Sequence, residues 1–114
     1  MPEMAEQTWV AVCEERVVLR ASGVAALLDG GEQVAIFRTD DDEFYGLSNI
    51  DPFSGAAVLS RGIVGDVKGV PVVASPIYKQ CFDLRTGRCL DDETVRIATY
   101  PVRVAGGVVH VGSP

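Results

Sequence analysis

Short apolar runs, broken at near-regular intervals by Gly, Pro and acidic turns, recur along the chain. Trp9-Val10-Ala11-Val12-Cys13 predicts a first strand, and Val17-Val18-Leu19 a short second one ahead of the Ser22-Gly23 turn. Val34 to Arg38 and Phe44 to Ser48 predict a hairpin, joined by the polar loop Thr39-Asp40-Asp41-Asp42-Glu43. Val70 to Ala74 is strand-like, with Pro71 pointing to an edge or a strand start. Cys81 to Leu84, the Thr86-Gly87 turn, Arg96 to Val104, the turn Ala105-Gly106-Gly107 and Val108 to Val111 complete the pattern. The one stretch of helical character, Val24 to Leu28, is too short and too Gly-bounded to change the class. Roughly eight short strands with regular turn signals predict a single all-β domain over residues 1–114, an antiparallel sandwich or partly closed barrel.

Two places break this rhythm. Asn49 to Gly69, with Pro52, Gly55, Gly62, Gly65 and Gly69, has no sustained period and reads as a long irregular connection. Such connections inside a compact domain are usually functional. A second loop, Ser75 to Gln80, leads into Cys81.

Composition narrows the functional classes. The chain has 114 residues, 47% hydrophobic and 23% charged, with much Val, twelve Gly and six Pro, as a β-rich globular domain would. Ten basic against sixteen acidic residues leave a net charge of −6. Arg61, Lys68, Lys79, Arg85, Arg88, Arg96 and Arg103 are scattered rather than gathered into a stripe, which argues against nucleic acid and anionic membrane as partners. The acidity suits steering toward a basic protein surface. The Thr39–Glu43 cluster lacks the Gly and distal Glu of a calcium loop and reads as a solvated turn. Met1 to Thr8 has two Glu and no apolar run, so no secretory signal is expected, and the expected compartment is the cytoplasm, where thiols stay reduced.

The three cysteines, Cys13, Cys81 and Cys89, are odd in number and contain no Cys-x-x-Cys. If Arg85 pairs with Arg88, Cys89 lies opposite Leu84 and Cys81 opposite Asp92, which sends the two sulfurs to opposite faces. All three then read as small buried hydrophobes. The single histidine, His110, falls on the last strand, on the same face as Val108. With no nucleophile–base pair, the chain offers no catalytic site of its own.

Behind the loops Asn49-Ile50-Asp51-Pro52-Phe53 and Ser75-Pro76-Ile77-Tyr78 come Phe82-Asp83-Leu84, Thr86-Gly87, Tyr100-Pro101-Val102-Arg103-Val104 and Val108 to Val111. In this the sequence resembles the Rieske [2Fe–2S] domain over about residues 9 to 111. That family places Cys-x-His in its first loop and Cys-x-x-His in its second. Carried onto this chain, the ligand positions fall on Asp51, Phe53, Ser75 and Tyr78. A Rieske centre needs thiolates on one iron and imidazoles on the other, whereas these residues offer only hard oxygens or no donor. The resemblance thus implies the Rieske-like fold without its cluster, and no metal in this chain.

A longer match is more specific. Val34 to Arg38, Asn49 to Ala56, Val58 to Asp66, Ala74-Ser75-Pro76 and Lys79-Gln80 resemble the small subunit of assimilatory NADH-dependent nitrite reductase. The resemblance implies a partner, a large subunit carrying FAD, [4Fe–4S] and sirohaem that reduces nitrite to ammonium in nitrate and nitrite assimilation. It also implies that this chain acts by docking through the two-loop tip. Pro52, Phe53, Ile77 and Tyr78 would supply anchor surface, and Asp51, Lys79 and Gln80 a polar rim. The competing surface is Ser60 to Asp66, with Arg61. Phe53 and Tyr78, if buried, would each add about 1.5–3 kcal/mol to the packing of the tip. Two other classes stay open: a true Rieske-type [2Fe–2S] electron-transfer protein, and a Rieske-fold interaction module of another multicomponent oxidoreductase.

Overall fold

The structure, a computed structural model, describes residues 8–113, so the reading of Met1 to Gln7 lies outside the described residues. Among those described, the chain forms ten strands: β1 (Trp9–Glu14), β2 (Ser22–Leu27), β3 (Gln33–Arg38), β4 (Phe44–Ser48), β5 (Ile63–Val67), β6 (Val70–Ala74), β7 (Cys81–Asp83), β8 (Thr99–Tyr100), β9 (Val102–Ala105) and β10 (Val108–Gly112). They make three antiparallel sheets ordered β1-β10-β9, β2-β3-β4-β8 and β5-β6-β7.

The four-stranded sheet contributes to both core clusters, and its strand β3 is buried on both faces. Val34, Ala35, Ile36 and Phe37 of β3 are all fully inaccessible. Their alternation sends Val34 and Ile36 to one core with Val18, Tyr100, Val109 and Val111. Ala35 and Phe37 enter the other, with Leu47, Leu59, Val73, Phe82, Leu84, Cys89 and Ile97. This double burial is why β3 reads as a continuous apolar run rather than an alternating one.

The structure departs from the sequence reading in several places. Val24 to Leu27 belong to strand β2, paired with β3 from Ser22↔Arg38 to Leu27↔Gln33, so this stretch is not helical. Tertiary pairing overrides the weak local helix preference of its Ala and Leu. Val17 closes a 3₁₀ turn, Glu15–Val17, and Val18 plugs the core after it, so the expected strand there does not form. The Asn49–Gly69 connection is only half irregular: it contains a 3₁₀ turn, Leu59–Arg61, and then β5, which makes a hairpin with β6. Lys68 and Gly69, both at positive φ, form its two-residue turn. Pro71 is the second residue of β6, one place after the strand start, and β6 is the central strand of its sheet rather than an edge. Pro71 sits where β7 has ended, accepting the Leu84 N–H through its carbonyl at 2.9 Å, so its missing donor is not needed.

Arg96 to Val104 is not one strand. Thr99–Tyr100 joins β4, and after Pro101 the chain moves to the other sheet as β9. The β7 hairpin closes with Phe82 opposite Cys89, two residues from the expected register. An even shift preserves the faces, so Cys89 points into the core while Cys81 lies on the other side.

Candidate functional site

The two loops interrupting the strand pattern share one backbone conformation. In the first, the Asp51 N–H donates to the Ala56 carbonyl at 2.8 Å and the Gly55 N–H to the Asp51 carbonyl at 2.7 Å. In the second, the Ser75 N–H donates to the Gln80 carbonyl at 2.9 Å and the Lys79 N–H to the Ser75 carbonyl at 3.0 Å. Each leading side chain also caps its own turn: Asp51 Oδ1 accepts the Phe53 N–H at 2.8 Å, and Ser75 Oγ accepts the Ile77 N–H at 3.2 Å. The fifth residue of each turn has positive φ, 77° at Gly55 and 69° at Lys79. The shared sequence signal is a capping Asp or Ser followed by Pro, as in Asp51-Pro52 and Ser75-Pro76.

The twin turns meet at their leading residues. Ser75 Oγ donates to Asp51 Oδ2 at 2.5 Å, and both residues are fully buried. Asn49, 2% exposed, anchors the first loop from below by accepting the Ser60 N–H on Oδ1 at 2.7 Å. Sequence reasoning missed the Asp51–Ser75 contact because it spans two loops 24 residues apart.

The predicted interface residues divide. Pro52, Ile77, Tyr78, Lys79 and Arg61 are exposed, Tyr78 by 59%. Phe53 is half-buried and packs inward on the core, its ring 6.2 Å from that of Phe82 and inclined at 45°. Asp51 is not a rim residue at all: its carboxyl is consumed by the two turns. Tyr78 is not core filler either, so only Phe53 contributes buried ring surface to the tip. Gln80 turns its Oε1 inward, where it has no hydrogen-bond partner.

This arrangement does not fit a [2Fe–2S] cluster. The side chains at the two thiolate positions, Asp51 and Ser75, touch each other and leave no gap for a metal. Phe53 has no donor, and Tyr78 faces solvent. The cysteines lie elsewhere: Cys13 on β1, Cys81 on β7, and Cys89 in the core. Burial pushes the Cys81 and Cys13 thiols above their ordinary range, which favours the neutral form over a metal-binding thiolate. Among the described residues no group of three or more His, Cys, Asp or Glu is placed to hold a metal ion. A groove of about 490 Å³ lies at the far end of the molecule between the Thr39–Glu43 and Lys68–Gly69 turns. It brings Asp40, Asp41, Glu43 and Asp66 near Arg85 and Tyr45, with no nucleophile–base pair among its lining residues.

Residues 8–112 match the Rieske-like [2Fe–2S] domain family. The chain is 46% identical over 104 residues to the small subunit of nitrite reductase (NADH) of Salmonella typhimurium, covering 90% of this chain and 95% of that one. It is 41% identical over 112 residues to part of the nitrite reductase [NAD(P)H] large subunit of Klebsiella oxytoca, covering 98% of this chain and 12% of that one. Its fold superposes, with a TM-score of 0.92 and 48% identity, on a Mycobacterium tuberculosis crystal structure described as an NADH-dependent nitrite reductase small subunit, covering 96% of this chain and 98% of that one. A Rieske-like framework whose two thiolate positions, Asp51 and Ser75, are joined in a hydrogen-bonded clasp, and whose sequence matches such subunits almost end to end, places the chain in the family of NADH-dependent nitrite reductase small subunits.

Proposed function

We propose that this chain is a cluster-free small subunit that works by association with a nitrite reductase large subunit in the cytoplasm. The large subunit carries FAD, [4Fe–4S] and sirohaem and reduces nitrite to ammonium with electrons from NADH, in nitrate and nitrite assimilation. This chain supplies no catalytic group of its own. The observation that carries the reading is the match to almost the whole chain inside the Klebsiella oxytoca large subunit. A segment of this kind, built into the partner's own polypeptide, works beside the redox centres rather than as a diffusing carrier. The contact is made through the tip, where Pro52, Ile77, Tyr78 and Lys79 are exposed, with Arg61 adjoining.

The test is reconstitution: large subunit purified alone, then with this chain added, assayed for binding and for NADH-dependent nitrite reduction. Formation of a stable complex is the expected result. Absence of any complex, or a chain that accepts electrons by itself, would overturn the reading.

A further inference from the structure

The β5-β6-β7 sheet carries a row of apolar residues across its outer face. Ile63 of β5 pairs with Ala74 of β6, and Ala74 pairs with Cys81 of β7. Leu90 continues the row, its N–H donating to the Cys81 carbonyl at 2.8 Å, one step from the Phe82↔Cys89 bridge. The neighbours Val64, Val73, Phe82 and Cys89 all point into the core, so by strand alternation these four point out. Ile63 is 71% exposed and Leu90 40%, with Ala74 and Cys81 half-buried between them. The row lies at the root of the second tip loop, since Ala74 precedes Ser75 and Cys81 follows Gln80. At the top of that loop Ile77 and Tyr78 are exposed by 44% and 59%.

We infer that Ile63, Ala74, Cys81 and Leu90 form, with Ile77 and Tyr78, one continuous docking face for the large subunit. This deepens the small-subunit reading and rests on it. The tip and the Ser60–Asp66 segment are then two borders of the same surface, because β5 register carries Ile63 to the tip end. Contiguous exposed apolar surface of this kind marks an interaction site.

The occupant is identified by chemistry and by the comparison. Arg61 borders the face beside Ile63 and Lys79 beside Tyr78, and neither is ion-paired among the described residues. The fitting partner is a nonpolar surface with acidic groups at the edge that meets Arg61 and Lys79. The Klebsiella oxytoca large subunit contains a stretch matching 98% of this chain, which ties such a domain to one large subunit rather than to a second copy of itself.

The test is titration of the large subunit with the parent chain and with Ile63→Glu, Leu90→Glu and Val67→Glu. Val67 lies on the same strand and face as Ile63, is 40% exposed, and sits at the far end beside the Lys68–Gly69 turn. Ile63→Glu and Leu90→Glu should each weaken binding about tenfold or more, and Val67→Glu should leave it unchanged. In a Cys13→Ala chain, Cys81 alkylation should slow on saturation with the large subunit, which decides the matter even if a Glu variant fails to fold. Folded Ile63→Glu and Leu90→Glu variants that bind like the parent, or Cys81 alkylated equally fast in the complex, would overturn the surface while leaving the small-subunit reading intact. A parent chain that never binds the large subunit would overturn both. A free chain that dimerises and is made monomeric by Leu90→Glu would assign the face to self-association and overturn the inference.

Discussion

Ser75 hands its hydroxyl hydrogen to Oδ2 of Asp51 where neither side chain meets solvent, and this bond joins two loops of identical backbone design. In a cluster-bearing Rieske domain the metal joins these loops. Here a direct side-chain contact does so, with Phe53 laid against Phe82 beside it. A buried, fully hydrogen-bonded contact of this kind is costly to break from one side.

Ser75→Ala should therefore destabilise the fold by about 1–3 kcal/mol, because Asp51 Oδ2 keeps its burial and loses its donor. In a double-mutant cycle with Asp51→Ala, urea denaturation should give a coupling above roughly 0.5 kcal/mol. Simple additivity of the two changes would refute the clasp.

Chain expressed anaerobically and purified should carry no iron or acid-labile sulfide and should be colourless. Thermal melts with and without chelator or reductant should coincide, since the tip is closed by Asp51 and Ser75 rather than by metal or disulfide. Iron near two equivalents per chain, the content of one binuclear cluster, would contradict the donor argument.

Lys79 occupies a left-handed position, φ 69°, which its twin loop gives to Gly55. Such a conformation is strained for a residue with a Cβ, and a strained residue at an exposed tip suggests a cost retained for contact. Lys79→Gly should raise stability by up to about 1 kcal/mol yet weaken association with the large subunit. Lys79→Glu should leave the melting temperature near the parent's and slow association, most clearly at low salt. A Lys79→Gly chain that binds as fast as the parent would remove Lys79 from the interface.

At the far end, the Arg20 and Arg38 guanidiniums hydrogen-bond Asp42 and hold its carboxyl down to about 2. A folded-state value below the ordinary carboxylate range stabilises the fold above pH ~4, and the contribution is lost as pH falls toward ~2. Asp42→Asn should flatten that part of the acid-unfolding curve. The substitution is compatible with the backbone there, φ 74°, because Asn tolerates the left-handed region. An unchanged acid limb would mean the Arg20–Asp42–Arg38 group is too well screened to matter.

Gly62 allows the segment leading into β5 to lie against β6. A Cβ at this position would stand 2.3 Å from the Ala74 carbonyl oxygen and 2.7 Å from Val73 Cγ2. Gly62→Ala should cost about 1–3 kcal/mol by overpacking. Because Ala74 lies in the proposed docking row, the same change should also weaken large-subunit binding. An unaffected melting temperature would show that the two segments separate freely.

The apolar rhythm of the chain was enough to specify an all-β antiparallel domain, the β3–β4 and β9–β10 hairpins, and the two loops that form the tip. These are local properties, carried by alternation, β-branched residues and turn chemistry within a few positions. The Rieske resemblance put the ligand positions on Asp51, Phe53, Ser75 and Tyr78, and that these residues make poor cluster donors was legible from each side chain alone. The faces of Cys81 and Cys89 came out correctly despite a register error, since a shift of two leaves the pleat unchanged.

What the tertiary structure alone decided depends on contacts between distant segments. Val24 to Leu27 became a strand because β3 offered a pairing edge, and Pro101 divided one apolar run between two sheets. Asp51 looked like a charged rim residue by type, yet it is fully buried, because Ser75 and the Phe53 amide satisfy its oxygens. Phe53 and Tyr78 could each serve as anchor surface or as buried packing by type, and only the fold separates them: Phe53 packs against Phe82 while Tyr78 stands in solvent. The row from Ile63 to Leu90 could not be read from order along the chain. It exists only where cross-strand register aligns four residues from separate segments, and such long-range pairing leaves no local periodicity to detect.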